Sequence, residues 1–151
     1  MTKAEIRHYY LNKRKEFSPH EMENKQQGLI KHCALFDLSP YAVVHLFLSI
    51  EKQREPNTYF LFEHLFSEGK TVVTSRSDFN TKQMTHWAVS PDSLWQTNHY
   101  GIPEPNEGTL VLPSAIDLVF VPLLGYDFCL LYTSDAADEG LGVDLGGRRI
   151  I

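Results

Sequence analysis

Residues 42–48 (AVVHLFL) and 117–122 (DLVFVP) are two nearly continuous apolar runs of strand length. A strand with one wet face alternates apolar and polar residues, whereas a near-continuous run marks a strand covered on both faces. Segments of helical periodicity precede and separate the two runs. Helices alternating with doubly covered strands call for α/β layers around a mainly parallel sheet, and the expected architecture is a three-layer sandwich.

The helices carry their own start signals. Thr2 and Glu5 have the spacing of a capping box, followed by Ile6, Tyr9, Tyr10, Lys13 and Phe17 near helical spacing. Ser18, Pro19 and Glu21 start a second helix, expected to reach about Leu38 with Leu29, Ile30, Cys33 and Phe36 on its buried side. Asn57 to Ser67 reads as a third helix, with Gly69 just past its end. Thr71 to Thr74 and Met84 to Val89 are further strands. Ligands of such sheets collect beyond the carboxyl ends of the strands, so Ser49–Asn57, Ser75–Gln83 and the chain after Pro122 are the candidate binding loops.

Composition narrows the class. A chain of 151 residues, 42% hydrophobic and 22% charged, fits one globular domain. No apolar run reaches the twenty or so residues of a spanning helix, and MTKAEIRHYY lacks the apolar core of a signal peptide. Cys33 and Cys129 are too few for a disulfide framework, so a cytoplasmic location is expected. A net charge of −5 argues against a nucleic-acid surface while allowing a local basic pocket. No membrane partner is expected, and the chain reads as a monomer.

Residues 129–151 (CLLYTSDAADEGLGVDLGGRRII) change character: Gly- and Asp-rich, without Lys and without amphipathic period. Cys129 to Glu139 resembles the in-frame translation of a transposase-type sequencing adapter, and Val143 to Ile151 resembles the adapter end. Gly140, Leu141 and Gly142 fall where a sample index would sit. The expected division is therefore residues 1–128 as the N-terminal portion of an α/β domain and residues 129–151 as a non-native tail. A native flexible tail and a phosphate loop are the alternatives, although the glycines match neither GxGxxG nor GxxxxGK[ST].

Three groups of residues invite a functional reading. Lys3 and Arg7 share a helix face, with Arg14 two turns beyond Arg7, and such cations either hold polyphosphate or form a solvated basic face. In SIEKQREPNT (residues 49–58), Glu51 and Glu55 can accept hydrogen bonds from a nitrogen-rich ligand, or simply belong to a polar loop. In YGIPEP (residues 100–105), Tyr100 offers a stacking ring on a rigid wall, or the segment is a stiff connection. The seven histidines form no pair that reads as a metal site, and His45 reads as a satisfied core residue. No catalytic nucleophile and no metal ligand is assigned.

Taken in order, these fragments resemble the 5-formyltetrahydrofolate cyclo-ligase (methenyltetrahydrofolate synthetase) family over residues 1–128. The likeness rests on Lys3-Ala-Glu-Ile-Arg7 with Arg14, Ser49-Ile50, Glu55-Pro-Asn-Thr58, Gly69-Lys70-Thr-Val-Val, Met84-Thr-His-Trp87, Gly101-Ile-Pro-Glu-Pro105 and Ile116-Asp-Leu-Val-Phe-Val-Pro122. It implies a three-layer α/β enzyme of one-carbon metabolism that converts 5-formyltetrahydrofolate to 5,10-methenyltetrahydrofolate with ATP and Mg²⁺. In that chemistry ATP phosphorylates the formyl oxygen, the folate nitrogen closes the ring, and phosphate departs. By the resemblance, Lys3, Ala4, Glu5, Ile6 and Arg7 contact ATP, Ile50 and Glu55 contact the folate, and Tyr100 stacks on its pterin. Ser75 stands where many relatives have proline. Gly125-Tyr-Asp127 leads into the tail where relatives carry an Arg-x-Gly-x-Gly-x-Gly stretch ending in an acid that serves magnesium. The sheet is therefore expected to be incomplete at its C-terminus and this chain to be inactive. Two rival readings fit the layers: a non-catalytic sensor of a phosphorylated metabolite, and a sugar-phosphate isomerase or CoA-transferase-like enzyme.

Overall fold

The computed structural model describes residues 3–124, Lys3 by its backbone alone. The expected cap at Thr2, the Gly125-Tyr-Asp127 segment and the tail at 129–151 lie outside the described residues.

Helix α1 spans Lys3–Glu16 and α2 spans Pro19–Cys33. The second start is built as its sequence predicts. Glu21 N–H donates to Ser18 Oγ (3.3 Å) while Ser18 N–H donates to Glu21 Oε2 (2.8 Å), a reciprocal cap that satisfies two orphan donors. Helix α2 ends at Cys33 rather than near Leu38. Leu35 and Phe36 N–H turn back three residues to His32 O and Cys33 O, a tightening that drops Leu38 into the core at 6% exposure.

Strand β1 is Val43–His45, shorter than its apolar run. Leu46 still donates to Val73 O (2.8 Å), but Phe47 O accepts the Thr58 hydroxyl (2.9 Å) instead of a ladder bond. Helix α3 covers Tyr59–Ser67, two residues later than expected, because Asn57 Oδ1 takes the Tyr59 N–H and Thr58 is buried. Strand β2 runs Thr71–Asp78 and β3 Gln83–Val89, so much of the expected loop Ser75–Gln83 is a strand continuing into a hairpin. Their register extends from Val72 opposite Val89 to Asp78 opposite Gln83. Strands β4 (Trp95–Thr97), β5 (Pro103–Pro105) and β6 (Thr109–Val111) are three residues each, and β7 is Leu118–Val119 within the second apolar run.

The main sheet has the order β6-β3-β2-β1-β7, and β4 pairs with β5 separately. Strand β1 is parallel to β2 and β7, while β3 is antiparallel to β2 and β6. Four of the five strands thus share one direction and β3 alone is reversed, a mainly parallel sheet flanked by helices. Alternation places Val44, Leu46, Leu48, Val72 and Leu118 on one face, packed against Leu61, Phe62 and Leu65 of α3. Asp117 fastens the β7 side: its Oδ2 accepts both the Ala42 and the Val43 N–H at 2.9 Å. Gly108 has φ 151°, and a Cβ there would lie 2.4 Å from Ala88 O, so only glycine fits. Among the described residues no helix is long and apolar enough to cross a membrane.

Candidate functional site

The loop after β1 is organised by its own polar groups. Ile50 N–H donates to Glu55 Oε2 (2.7 Å), closing the 3₁₀ turn Glu51–Gln53 into a ring with Glu55 at its mouth. Ser49 Oγ bonds Pro56 O and accepts Thr58 N–H (3.1 Å), pinning the far end. The expected folate-contacting pair, Ile50 and Glu55, is therefore one hydrogen-bonded unit.

The basic face of α1 meets this unit. Arg14 Nη1 lies 3.9 Å from Glu55 Oε1 and donates to Gln53 O (3.3 Å). Arg7 precedes Arg14 by seven residues, two turns on the same helix face, and is half-buried. Ala4 and Glu5 are exposed, Ile6 is half-buried, and the Lys3 side chain is outside the described residues. Arg54 adds a second tie, donating from Nη1 to Lys15 O (2.6 Å) and from Nη2 to Phe17 O (2.7 Å). Gln26 of α2 completes the attachment through Nε2 to Asn57 O (2.8 Å) and Oε1 from Asn57 N–H (2.9 Å). The loop expected to hold folate is thus tied to the C-terminal end of α1, the helix whose first turns carry the residues expected to hold nucleotide.

The YGIPEP segment comes to the same loop. Gly101, at φ 83°, lies beside Lys52, whose Cδ would be in ordinary contact, 3.8 Å, with a Cβ there. Asn98 Oδ1 accepts the N–H groups of Tyr100 (3.0 Å) and Ile102 (3.1 Å), shaping the turn. Tyr100 is 54% exposed, its ring centroid 3.8 Å from His99 and 4.3 Å from Phe79. Behind it, Glu104 is buried and accepts Ser77 N–H (3.0 Å), fastening β5 to β2. The stiff connection and the ring-bearing wall are one piece of structure.

A different cluster lies on the sheet face opposite α3. His45 Nε2 and His86 Nδ1 both bond Ser75 Oγ, at 2.7 and 3.1 Å, with the rings edge to face at 5.4 Å. His45 Nδ1 is buried and has no partner among the described residues, so His45 is only half satisfied, contrary to its reading as a satisfied core residue. Burial, then the neighbouring His86, pulls its pKa down to about 4, and burial lowers that of His86 as well. A groove of about 590 Å³ also runs along α1, lined among others by Ala4, Glu5, His8, Tyr9 and Lys13, and shares no residue with the loop after β1. Among the described residues no three His, Cys, Asp or Glu side chains gather where they could hold a metal ion.

Sequence reasoning singled out Lys3–Arg7, Ile50, Glu55 and Tyr100 but missed Arg54, Phe79 and His99. Arg54 binds backbone carbonyls 37 and 39 residues away, which leave no side-chain pattern to read. The two rings lie on separate turns, and only the third dimension gathers them.

Among solved structures, the chain is similar to a 5,10-methenyltetrahydrofolate synthetase from Aquifex aeolicus, at 27% identity and a TM-score of 0.70. That match covers 84% of this chain and 63% of the Aquifex protein, so the chain spans less than two thirds of that relative's length. A 5,10-methenyltetrahydrofolate synthetase from Mycoplasma pneumoniae shares the fold at 22% identity and a TM-score of 0.63, covering 83% of this chain and 66% of the other. Comparison with curated proteins gives no match. The sequence profile of the 5-formyltetrahydrofolate cyclo-ligase family matches residues 1–128, the full stretch that carries the helices, the sheet and the loop after β1. This chain belongs to the 5-formyltetrahydrofolate cyclo-ligase family.

Proposed function

We propose that the domain is the N-terminal portion of a cytoplasmic, monomeric enzyme that binds 5-formyltetrahydrofolate and ATP for the ATP-dependent formation of 5,10-methenyltetrahydrofolate, and that this 151-residue chain by itself binds without completing the reaction. The observation that carries this reading is the junction of α1 with the loop after β1, where Arg14 faces Glu55 and Arg54 grips the end of α1. In this reading Lys3 and Arg7, with the Ala4-Glu5-Ile6 backbone between them, hold the phosphates. Ile50 and Glu55 hold the folate, and Tyr100 receives the pterin ring.

Bound ATP, accompanied by magnesium, supplies the phosphoryl group that turns the formyl oxygen into a leaving group. The described residues offer no set of metal-ligating side chains, so no protein ligand to the ion is assigned. The contribution of the chain is alignment and charge: Arg7 and Arg14 offer positive potential along one helix face, and Glu55 orients the loop. Such chemistry needs no protein nucleophile.

Thermal unfolding with and without ligand tests the reading. A ligand held by the native state alone stabilises it by about 2.7 kcal/mol at a hundredfold excess over Kd, and 5-formyltetrahydrofolate is expected to raise the midpoint accordingly. A sugar phosphate that stabilises the chain where folate does not would replace this reading with one of its rivals.

The family match also ends at residue 128, which supports reading 129–151 as foreign to the domain. Sequencing the source gene across the codon for Asp127 is expected to show a glycine-rich continuation. A genomic copy of CLLYTSDAADE would make the tail native.

A further inference from the structure

We propose that Arg54 is a positioning residue that locks the nucleotide helix to the folate loop, so that filling either site tightens the other. The proposal rests on the assignment of ATP to Lys3–Arg7 and of folate to Ile50 and Glu55, and Arg54 belongs to neither set. It follows the 3₁₀ turn with φ 53°, a left-handed conformation that a residue with a side chain keeps only when its surroundings hold it there. Its surroundings are well defined. The Arg54 N–H closes on Glu51 O (2.8 Å), while the guanidinium spreads over Lys15 O and Phe17 O. Lys15 lies in the last turn of α1 and Phe17 just past its end. Carbonyls there lack helical partners, and the helix dipole favours a cation.

A rigid two-pronged fork fixes direction as well as distance. The residue that follows, Glu55, holds Ile50 N–H on one oxygen and faces Arg14 with the other. A displacement of α1 on binding nucleotide is therefore passed through Arg54 to Glu55, the next residue, and from Glu55 to Ile50 by their hydrogen bond, and the reverse holds equally. Group transfer between two bound substrates depends on their relative placement, and an element ordered by one ligand need not be ordered again by the second.

The test is an equilibrium titration of the 151-residue chain with 5-formyltetrahydrofolate, with and without a saturating non-hydrolysable ATP analogue. The wild-type chain is expected to bind folate about fivefold or more tightly with nucleotide present, the lower end of ordinary two-site coupling. Arg54→Gly relieves the left-handed strain while removing the clamp, and is expected to bring that ratio to about one while folate affinity measured alone stays within about threefold. Arg54→Lys, with a point charge in place of a fork, is expected to retain only part of the ratio. An unchanged ratio in Arg54→Gly, or a wild-type ratio of one, overturns the role of Arg54 and leaves the functional assignment standing. Failure of the wild-type chain to bind either ligand overturns both.

Discussion

Acidification from pH 7 to pH 4 is expected to remove about 3 kcal/mol of stability through His45 alone. An unfolded histidine titrates near 6.5, whereas burial and His86 hold the native His45 near 4. Above pH 6.5 the imidazole is neutral in both states and the full stability is present. As pH falls below 6.5, the unfolded chain takes up a proton that the native chain refuses. The loss grows until about pH 4, where native His45 is protonated as well. His86, lowered by burial, adds to the loss in the same direction. Urea midpoints at pH 7.5, 6 and 5 check this, with His45→Gln as the comparison. The variant should show a visibly flatter dependence, and parallel curves for the two chains would remove His45 as the cause.

The second large effect is expected at Glu55. Replacing it with alanine takes the acceptor from Ile50 N–H and the carboxylate from Arg14, at a site where the two charged side chains are 15% and 11% exposed. Breaking a fully buried pair costs 3–5 kcal/mol, and partial solvent access lowers the expectation here to about 2 kcal/mol. The loop also loses the bond that shapes it, so affinity for 5-formyltetrahydrofolate is expected to fall at least about tenfold, or 1.4 kcal/mol. Glu55→Gln, which keeps a neutral acceptor for Ile50, should fall between wild type and Glu55→Ala. Calorimetric titration of the three proteins decides, and an unaltered affinity in Glu55→Ala would take Glu55 out of the site.

What could be read from residues alone follows from the range of the forces involved. The second helix was legible because Ser18, Pro19 and Glu21 satisfy one another locally. The position of β1 and β7 was legible from their apolar runs, whose Val44 and Leu118 are buried against α3 while Val43, His45 and Val119 are half-buried on the other face, but their lengths were not. Past His45, Leu46 N–H still reaches Val73 O, but Phe47 O turns to the Thr58 hydroxyl. Ser75-Arg-Ser-Asp78 gives no strand signal of its own and is held extended by Gln83–His86 across the hairpin. Prolines at both ends of β5 argue against a strand, and the segment is tolerated in a two-stranded ribbon where each strand is an edge. Within the site, Lys3–Arg7, Ile50 and Glu55 were named through the family resemblance. The tie of their helix to their loop through Arg54 depends on the carbonyls of Lys15 and Phe17, a group every residue possesses.

The carboxylate of Asp117 has a consequence for the chain as it is made. Ala42 and Val43 wait for an acceptor 75 and 74 residues downstream, and the β7 edge of β1 has no strand beside it until Leu118 arrives. At ordinary elongation rates of 5–20 residues per second that interval is roughly 4 to 15 s. Through it, the newly emerged β1 is a half-paired apolar strand, with β2 as its one sheet neighbour. The long β2–β3 hairpin, local in sequence, is complete well before then. Vectorial synthesis therefore delivers the reversed strand β3 before the closing parallel strand β7, leaving the nascent chain dependent on whatever shields residues 43–48 in the meantime.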